Sequence, residues 1–147
     1  MKVAIASDHA GYAFKDELKS ELERLGHEVE DFGTDSAESC DYPDFGIPAA
    51  QSTGRGETER TILACTNGIG MSMLANRIPG VRAALVYSER SSAMTRNHHD
   101  SNVLCLGAGE FPSADLLKWV RIWLEQPFEA GRHARRIAKV EALDDRD

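Results

Sequence analysis

The strongest constraint on the fold is a regular alternation of short apolar runs with helical patterns along the 147-residue chain. The apolar runs predict five β-strands, at residues 3–6, 27–32, 61–65, 82–87 and 102–106. Strands that alternate with helices pair in parallel, and helices then cover both faces of the sheet. The sequence therefore predicts a three-layer α/β/α Rossmann-like fold with a five-stranded parallel sheet and a C-terminal helix.

The helical patterns predict how this sheet is covered. Phe14, Leu18, Leu22 and Leu25 lie near one face of a first helix, which Gly26 ends. Further helices are predicted over residues 47–53, 70–77, 88–96, 116–124 and 131–143. The second strand carries three acidic residues, so we expect it at an edge of the sheet.

Length and composition predict one globular domain over residues 1–147, in which residues 128–147 form the C-terminal helix and tail. The formal charge of −7 argues against a nucleic-acid partner. No apolar run approaches the length of a membrane span. The three cysteines form no metal-binding pattern, and the N-terminus has no signal-peptide pattern, so we expect a cytoplasmic protein with reduced thiols.

The segments that follow the strands are the candidates for a functional site, because parallel sheets bind ligands at the carboxyl ends of their strands. Polar residues and glycines collect in these segments: Ser7–Gly11, Phe32–Gly33, Cys65–Gly70, Tyr87–Ser88 and Gly107–Gly109.

Cys65 ends an apolar run and is followed by a short glycine-containing loop, Thr66–Gly70, and then by helix-compatible residues. Backbone N–H groups of such a loop and of a helix N-terminus favour negative charge. A thiol placed there can be held partly as thiolate and can act as a base or a nucleophile. The alternative is a small residue that packs at a strand end beside a tight turn.

Two further groups suggest chemistry. Asp8 can orient the imidazole of His9 and set its affinity for a proton, or Asp8 can cap the first helix beside a solvated His9. Arg132 and Arg136 lie one helical turn apart, which suits a phosphate group, although the same pair can form a solvated basic face.

His98 and His99 are adjacent, so their side chains point in different directions and only one is expected to enter a given site. No third ligand lies at a suggestive spacing, and the sequence therefore does not favour a metal site.

Taken together, these pieces resemble the family of type B ribose-5-phosphate isomerases and related galactose-6-phosphate isomerases. Each motif alone is weakly specific, but the set follows the family's order and spacing over essentially the whole chain. The matching segments are Ser7-Asp8-His9-Ala10-Gly11, Asp41-Tyr42-Pro43-Asp44, Cys65 with Gly68-Ile69-Gly70-Met71-Ser72, Ala75-Asn76-Arg77, Gly80-Val81-Arg82-Ala83, Arg96-Asn97-His98, Asp100-Ser101-Asn102-Val103-Leu104, and Gly131-Arg132-His133 with Arg136.

The resemblance implies an aldose–ketose isomerase of sugar phosphates, with ribose 5-phosphate and ribulose 5-phosphate as the leading pair and with no metal or organic cofactor. Such a reaction opens the cyclic sugar and moves a proton between C2 and C1 through a cis-enediolate. By resemblance, Cys65 is the C2/C1 base and His98 is the ring-opening acid or base, with Asp8 assisting there.

The resemblance also implies how the substrate is bound. His9, Arg132 and Arg136 are expected to bind phosphate, Tyr42 to line the sugar pocket, and the loop amides to stabilise the enediolate. The full set of expected binding residues is His9, Tyr42, Asn67, Gly68, Ile69, Gly70, His99, Arg132 and Arg136. The family's active site lies at a homodimer interface, so we expect the His98 segment to enter the neighbouring subunit, residues 128–147 to pack at this interface, and dimers to be able to pair into tetramers.

Three positions depart from the family's usual pattern. Thr66-Asn67 replaces Gly-Thr after the cysteine, His99 replaces an asparagine, and Gly109 replaces an arginine that contributes to phosphate binding. These changes leave the proton-transfer residues intact and alter substrate recognition. Alternative substrates are therefore a hexose 6-phosphate, a tetrose phosphate or an unphosphorylated sugar, and a more distant alternative is a non-catalytic nucleotide-binding α/β module.

Overall fold

The computed structural model describes residues 1–144, so the last three residues of the expected tail, 145–147, lie outside the described residues. None of the helices in the described part is long and apolar enough to cross a membrane. In chain order, the elements are β1 (Lys2–Ser7), a 3₁₀ turn (His9–Gly11), α1 (Tyr12–Arg24), β2 (Glu28–Asp31), α2 (Tyr42–Gly54), β3 (Arg60–Cys65), α3 (Ile69–Ala75), β4 (Ala83–Leu85), α4 (Glu89–Asn97), β5 (Val103–Gly107), α5 (Ser113–Glu125) and α6 (Arg132–Glu141).

The five strands form one parallel sheet in the order β2-β1-β3-β5-β4. The predicted parallel sheet is therefore confirmed, and so is the edge position of the acidic second strand. From β1 the chain first adds β2 on one side and then crosses to add β3 on the other. In open α/β sheets, such a reversal leaves a crevice at the carboxyl ends of the two central strands.

Apolar side chains cover both faces of the sheet, which gives the predicted three layers. One face packs against α1 and α5, whose Leu18, Leu22 and Trp123 are almost fully buried. The other face packs against α2 and α3 through Ala49 and Met71 among others. The central strands are apolar on both sides because helices cover both faces.

Some element boundaries differ from the predictions. Helix α2 begins at Tyr42 rather than at residue 47, since Pro43 lies in its first turn, where a missing N–H costs no intrahelical hydrogen bond. Strand β4 is shorter than expected and lies at an edge. Helix α1 ends at Arg24, so the prediction that Leu25 lies on the helix is wrong, and this side chain is 37% exposed.

Leu22 and Leu25 provide a matched test of the core. We expect Leu22→Ala to lower the free energy of unfolding by about 2–5 kcal/mol, because it empties a fully buried site. Leu25→Ala should cost less than about 1 kcal/mol, because this side chain is partly solvated already. Urea unfolding at a fixed protein concentration measures both values, and equal losses would contradict the described end of α1.

Candidate active site

Asp8 and Cys65 lie side by side at the crevice between β1 and β3. The register pairs Ser7 with Ala64, so the next residue of each strand projects from the same edge. The Asp8 N–H donates to the Ala64 carbonyl at 3.3 Å, and both Asp8 and Cys65 are buried, with exposures of 6% and 5%. The predicted thiol and carboxylate therefore meet where ligands bind in this class of fold.

The loop after β3 directs a backbone amide at the thiol. The Gly68 N–H donates to the Cys65 Sγ at 3.2 Å. Gly68 adopts a left-handed conformation (φ +77°), and a Cβ added to it would lie 2.6 Å from a methyl group of Leu85. The Ala108 N–H also holds the Cys65 carbonyl at 2.9 Å. The backbone of the loop is thus held on both sides of the thiol, with the Gly68 amide pointing at the sulfur.

The other loop residues are arranged around the start of α3. The Ile69 N–H donates to Asn67 Oδ1 at 3.1 Å, so two of the three amides expected to stabilise an anion already have acceptors, on Cys65 and on Asn67. The third, of Gly70, lies in the first turn of the helix, where amides have no intrahelical acceptor. The Tyr42 ring packs on Gly70, where an added Cβ would lie 2.5 Å from its Cζ.

Asp8 and His9 each have a defined hydrogen bond. The Gly11 N–H donates to Asp8 Oδ1 at 3.1 Å, so the capping interpretation of Asp8 is correct for the 3₁₀ turn. The backbone N–H of Cys40 donates to His9 Nδ1 at 3.2 Å. Because Nδ1 accepts this bond, a neutral His9 carries its proton on Nε2, which can then donate to an anion.

Cys65 lies at the edge of the sheet formed by the carboxyl ends of the strands, whereas His98 of the same chain lies at the opposite edge, formed by their amino ends. Helix α4 follows β4, runs back along the sheet and ends at Asn97, immediately before His98. Strand β5 then starts at Val103, beside Thr61, and reaches the level of Cys65 only at Gly107. At about 3.3 Å per residue, these four steps span about 13 Å. The predicted catalytic residues thus form two groups, at the two edges of the sheet.

The second group contains predicted residues and two that were not predicted. The rings of His98 and His133 stack with centroids 4.1 Å apart, and the His98 Nε2 lies 3.5 Å from the Glu129 Oε2. The side chains of His99 and Arg136 border the same cavity of about 270 Å³. Glu129 and His133 were not among the predicted site residues, and only their i,i+4 spacing hinted at a shared helix face.

Arg132 and Arg136 both lie on the exposed side of α6, and within residues 1–144 neither has a carboxylate within 4 Å. Burial lowers the pKa of His133, and the charges of His98 and Arg132 lower it further. The two exposed guanidinium groups suit an anionic ligand.

Gly109 and Thr66 occupy neighbouring space beside the Cys65 loop. The Gly109 N–H donates to the Thr66 carbonyl at 2.9 Å, and an added Cβ at position 109 would lie 3.0 Å from that oxygen and 3.1 Å from the Thr66 methyl group. A larger residue at 109 would therefore press on Thr66. The two departures from the family's pattern are structurally linked.

These features define a class of protein: a doubly wound α/β protein with a thiol and a carboxylate at the strand ends and cationic side chains suited to a small anion. The sequence profile of the Ribose/Galactose Isomerase family matches residues 3–140. The chain belongs to this family, which confirms the predicted resemblance and removes the reason to consider a nucleotide-binding module.

Individual relatives are similar to this chain over nearly their whole length. Ribose-5-phosphate isomerase B of Escherichia coli is 36% identical over 146 residues, which cover 99% of this chain and 97% of that one. The structure of Clostridium thermocellum ribose-5-phosphate isomerase B superimposes with a TM-score of 0.96 at 42% identity, covering 99% and 98% of the two chains. The Mycoplasma genitalium ribose-5-phosphate isomerase B with bound ribulose-5-phosphate also has a TM-score of 0.96, at 36% identity with 99% and 97% covered.

Gly68 and Gly56 give a matched test of the thiol loop, since both have a positive φ, of 77° and 75°. We expect Gly56→Ala to cost about 1–2 kcal/mol, because only the backbone is strained and no atom lies within 4 Å of the new Cβ. Gly68→Ala should cost about 1–3 kcal/mol more, because its Cβ meets Leu85. Urea unfolding compares the two, and equal costs would show that the loop is not packed as described.

Proposed function

We propose that this chain interconverts ribose 5-phosphate and ribulose 5-phosphate. The observation that carries the proposal is the buried Cys65 thiol, which accepts the Gly68 N–H at the crevice between β1 and β3. The family assignment supports the reaction class, and the related Mycoplasma structure with ribulose-5-phosphate supports the substrate.

In the proposed reaction, the Cys65 thiolate removes the proton from C2 of the open-chain aldose. The electrons of the C–H bond form the C1=C2 double bond of a cis-enediolate, and the negative charge moves to oxygen. The thiol then returns the proton to C1 while a proton passes from the C2 oxygen to the C1 oxygen, which yields the ketose. We assign the support of this developing charge to the amide of Gly70 and the side chain of Asn67.

Ring opening requires a proton donor and acceptor at the ring oxygen, and we assign this role to His98, assisted by Asp8. The phosphate is assigned to His9 Nε2–H together with Arg132 and Arg136. Because His98 and the arginines lie at the opposite edge of the sheet from Cys65, one chain does not hold a complete site. We therefore propose a homodimer in which each site combines the Cys65 edge of one subunit with the His98 edge of its partner.

The surface of α6 supports this assembly. Val140 and Leu143 are apolar yet 60% and 47% exposed, and they lie beside the His98 cavity, in the 128–147 segment proposed to pack at the interface. Light scattering on the purified protein distinguishes this dimer from a tetramer made of two dimers.

The free thiols of Cys40, Cys65 and Cys105 support a reducing, cytoplasmic location, and we propose that residues 1–147 act as one domain there.

A complementation experiment tests the shared site. We expect Cys65→Ala and His98→Gln each to abolish isomerisation when expressed alone. When the two are co-expressed, random pairing makes half of the dimers mixed, and each mixed dimer has one intact site, so about a quarter of the wild-type activity should return.

The control pairs Cys65→Ala with the double variant Cys65→Ala/His98→Gln, a combination that has no intact site in any dimer and should stay inactive. Purification of the mixed dimer through two different affinity tags should raise its activity to about half that of the wild type. Absence of recovery in folded mixed dimers would show that Cys65 and His98 act within one subunit.

The linked departures at Thr66 and Gly109 favour a second candidate, the isomerisation of another sugar phosphate, such as a hexose 6-phosphate or a tetrose phosphate. A panel of these sugars measures kcat/KM for each. We expect the highest value for ribose 5-phosphate and a value about three orders of magnitude lower for ribose, because the three charge-assisted hydrogen bonds from His9, Arg132 and Arg136, of about 1.5 kcal/mol each, are lost. A higher kcat/KM for another sugar phosphate would change the proposed substrate but leave the proposed reaction unchanged.

A further inference from the structure

The side chains of His98, Glu129 and His133 form a compact cluster that the proposed reaction only partly uses. Their ligand-capable atoms all lie within 4.8 Å of one another, and within residues 1–144 no other three histidine, cysteine or acidic side chains do so. The His98 Nε2 is 3.5 Å from the Glu129 Oε2, and the His133 Nε2 is 4.0 Å from the same oxygen. We call these three side chains the His–Glu–His cluster.

The backbone holds the His–Glu–His cluster together from two distant parts of the chain. The Glu129 N–H donates to the Asn97 carbonyl at 3.0 Å, which fixes Glu129 beside the end of α4. Ala130 and Gly131 then adopt positive φ angles of 56° and 60°, and the chain turns directly into α6. The turn returns His133, which is buried, to the face of His98.

Two imidazole nitrogens and one carboxylate oxygen make up a donor set that binds zinc in proteins. With metal–ligand bonds of about 2.1 Å, tetrahedral zinc places its ligands about 3.4 Å apart. The pair formed by His98 and Glu129 already has this spacing, and the pair formed by His133 and Glu129 needs a closure of roughly half an ångström. The two imidazole rings, which stack within 10° of parallel, must also rotate so that both Nε2 lone pairs point at the ion.

The groups around the His–Glu–His cluster determine how tightly it can bind a cation. A histidine binds metal only as the neutral imidazole, so zinc competes with protons for His98 and His133. Arg132 and Arg136 are close enough to affect the His133 ring, and their positive charges weaken the binding of any cation. The bound state is therefore a reversible one and not a permanent structural metal.

We propose that the His–Glu–His cluster is a zinc-binding site whose occupation inhibits the enzyme. A zinc ion on the His98 Nε2 takes the lone pair through which this nitrogen exchanges protons. The inhibition rests on the role proposed above for His98 in ring opening, whereas the binding of zinc does not.

Equilibrium dialysis of the full chain against zinc chloride tests the binding. We expect one zinc ion per chain in the wild type, and loss of this ion in Glu129→Gln and in His133→Gln. The control Glu125→Gln changes an exposed carboxylate at the end of α5 and should leave the ion bound. Glu129→Gln alters an exposed side chain, so it remains informative if His133→Gln does not fold.

The thiols are the competing zinc ligands, and two further measurements separate them from the cluster. Cys65→Ser and Cys40→Ser should each retain the bound ion. Cobalt(II), used as a probe, should give a visible ligand-field spectrum without the intense ultraviolet charge-transfer band of a thiolate ligand. Wild-type stoichiometry in Glu129→Gln, or loss of the ion in Cys65→Ser, would overturn the proposed site.

Initial rates of isomerisation at buffered free zinc test the inhibition, each variant being compared with its own zinc-free rate. The wild type should lose activity as zinc is added and regain it with a chelator. In Glu129→Gln, the inhibitory concentration should rise at least about tenfold. A wild-type rate that stays constant while dialysis shows zinc on the cluster would overturn the inhibition and the ring-opening role of His98, but would leave the zinc site itself standing.

Discussion

The parallel pairing of β1, β3 and β5 determines where each chemical group of this chain can lie. Backbone hydrogen bonds place Ser7 beside Ala64 and Cys65 beside Gly107, so the thiol, Asp8 and the loop amides share one edge of the sheet. The same pairing places the His98 segment before Val103, at the other edge. Side-chain rotations move a group by a few ångströms and cannot bridge about 13 Å of strand. The proposal of a site shared between two subunits rests on this strand register.

At the thiol edge, tight packing fixes the position of the loop after β3. The Gly68 amide reaches Cys65 only because residue 68 has no side chain, since a Cβ there would meet Leu85. The contact between Thr66 and Gly109 has a similar consequence. A side chain at 109 would press on the Thr66 carbonyl and methyl group, so the residue types at these two positions depend on each other. Substrate preference should therefore respond to both positions together.

Much of the fold could be predicted because it depends on local patterns. Apolar runs bounded by turn residues located all five strands, and the acidic residues of β2 marked it as an edge. The start of α2 was missed because Pro43, which often interrupts helices, is favourable in a first turn. In the site, Asp8 and Cys65 could be found from their positions at strand ends. The contact of His98 with Glu129 could not, because it depends on how the α5–α6 connection packs against α4.

Net charge alone would make this chain a poor receptor for a sugar phosphate, since it carries a formal charge of −7. At physiological ionic strength, however, charges are screened beyond about 8 Å, so a bound anion responds mainly to its immediate surroundings. Arg132 and Arg136, both exposed on α6, supply that local positive charge. These cations lie far from Cys65 in their own subunit. In the proposed dimer, the partner brings them to the thiol edge, so assembly supplies the electrostatic attraction for phosphate as well as the ring-opening histidine.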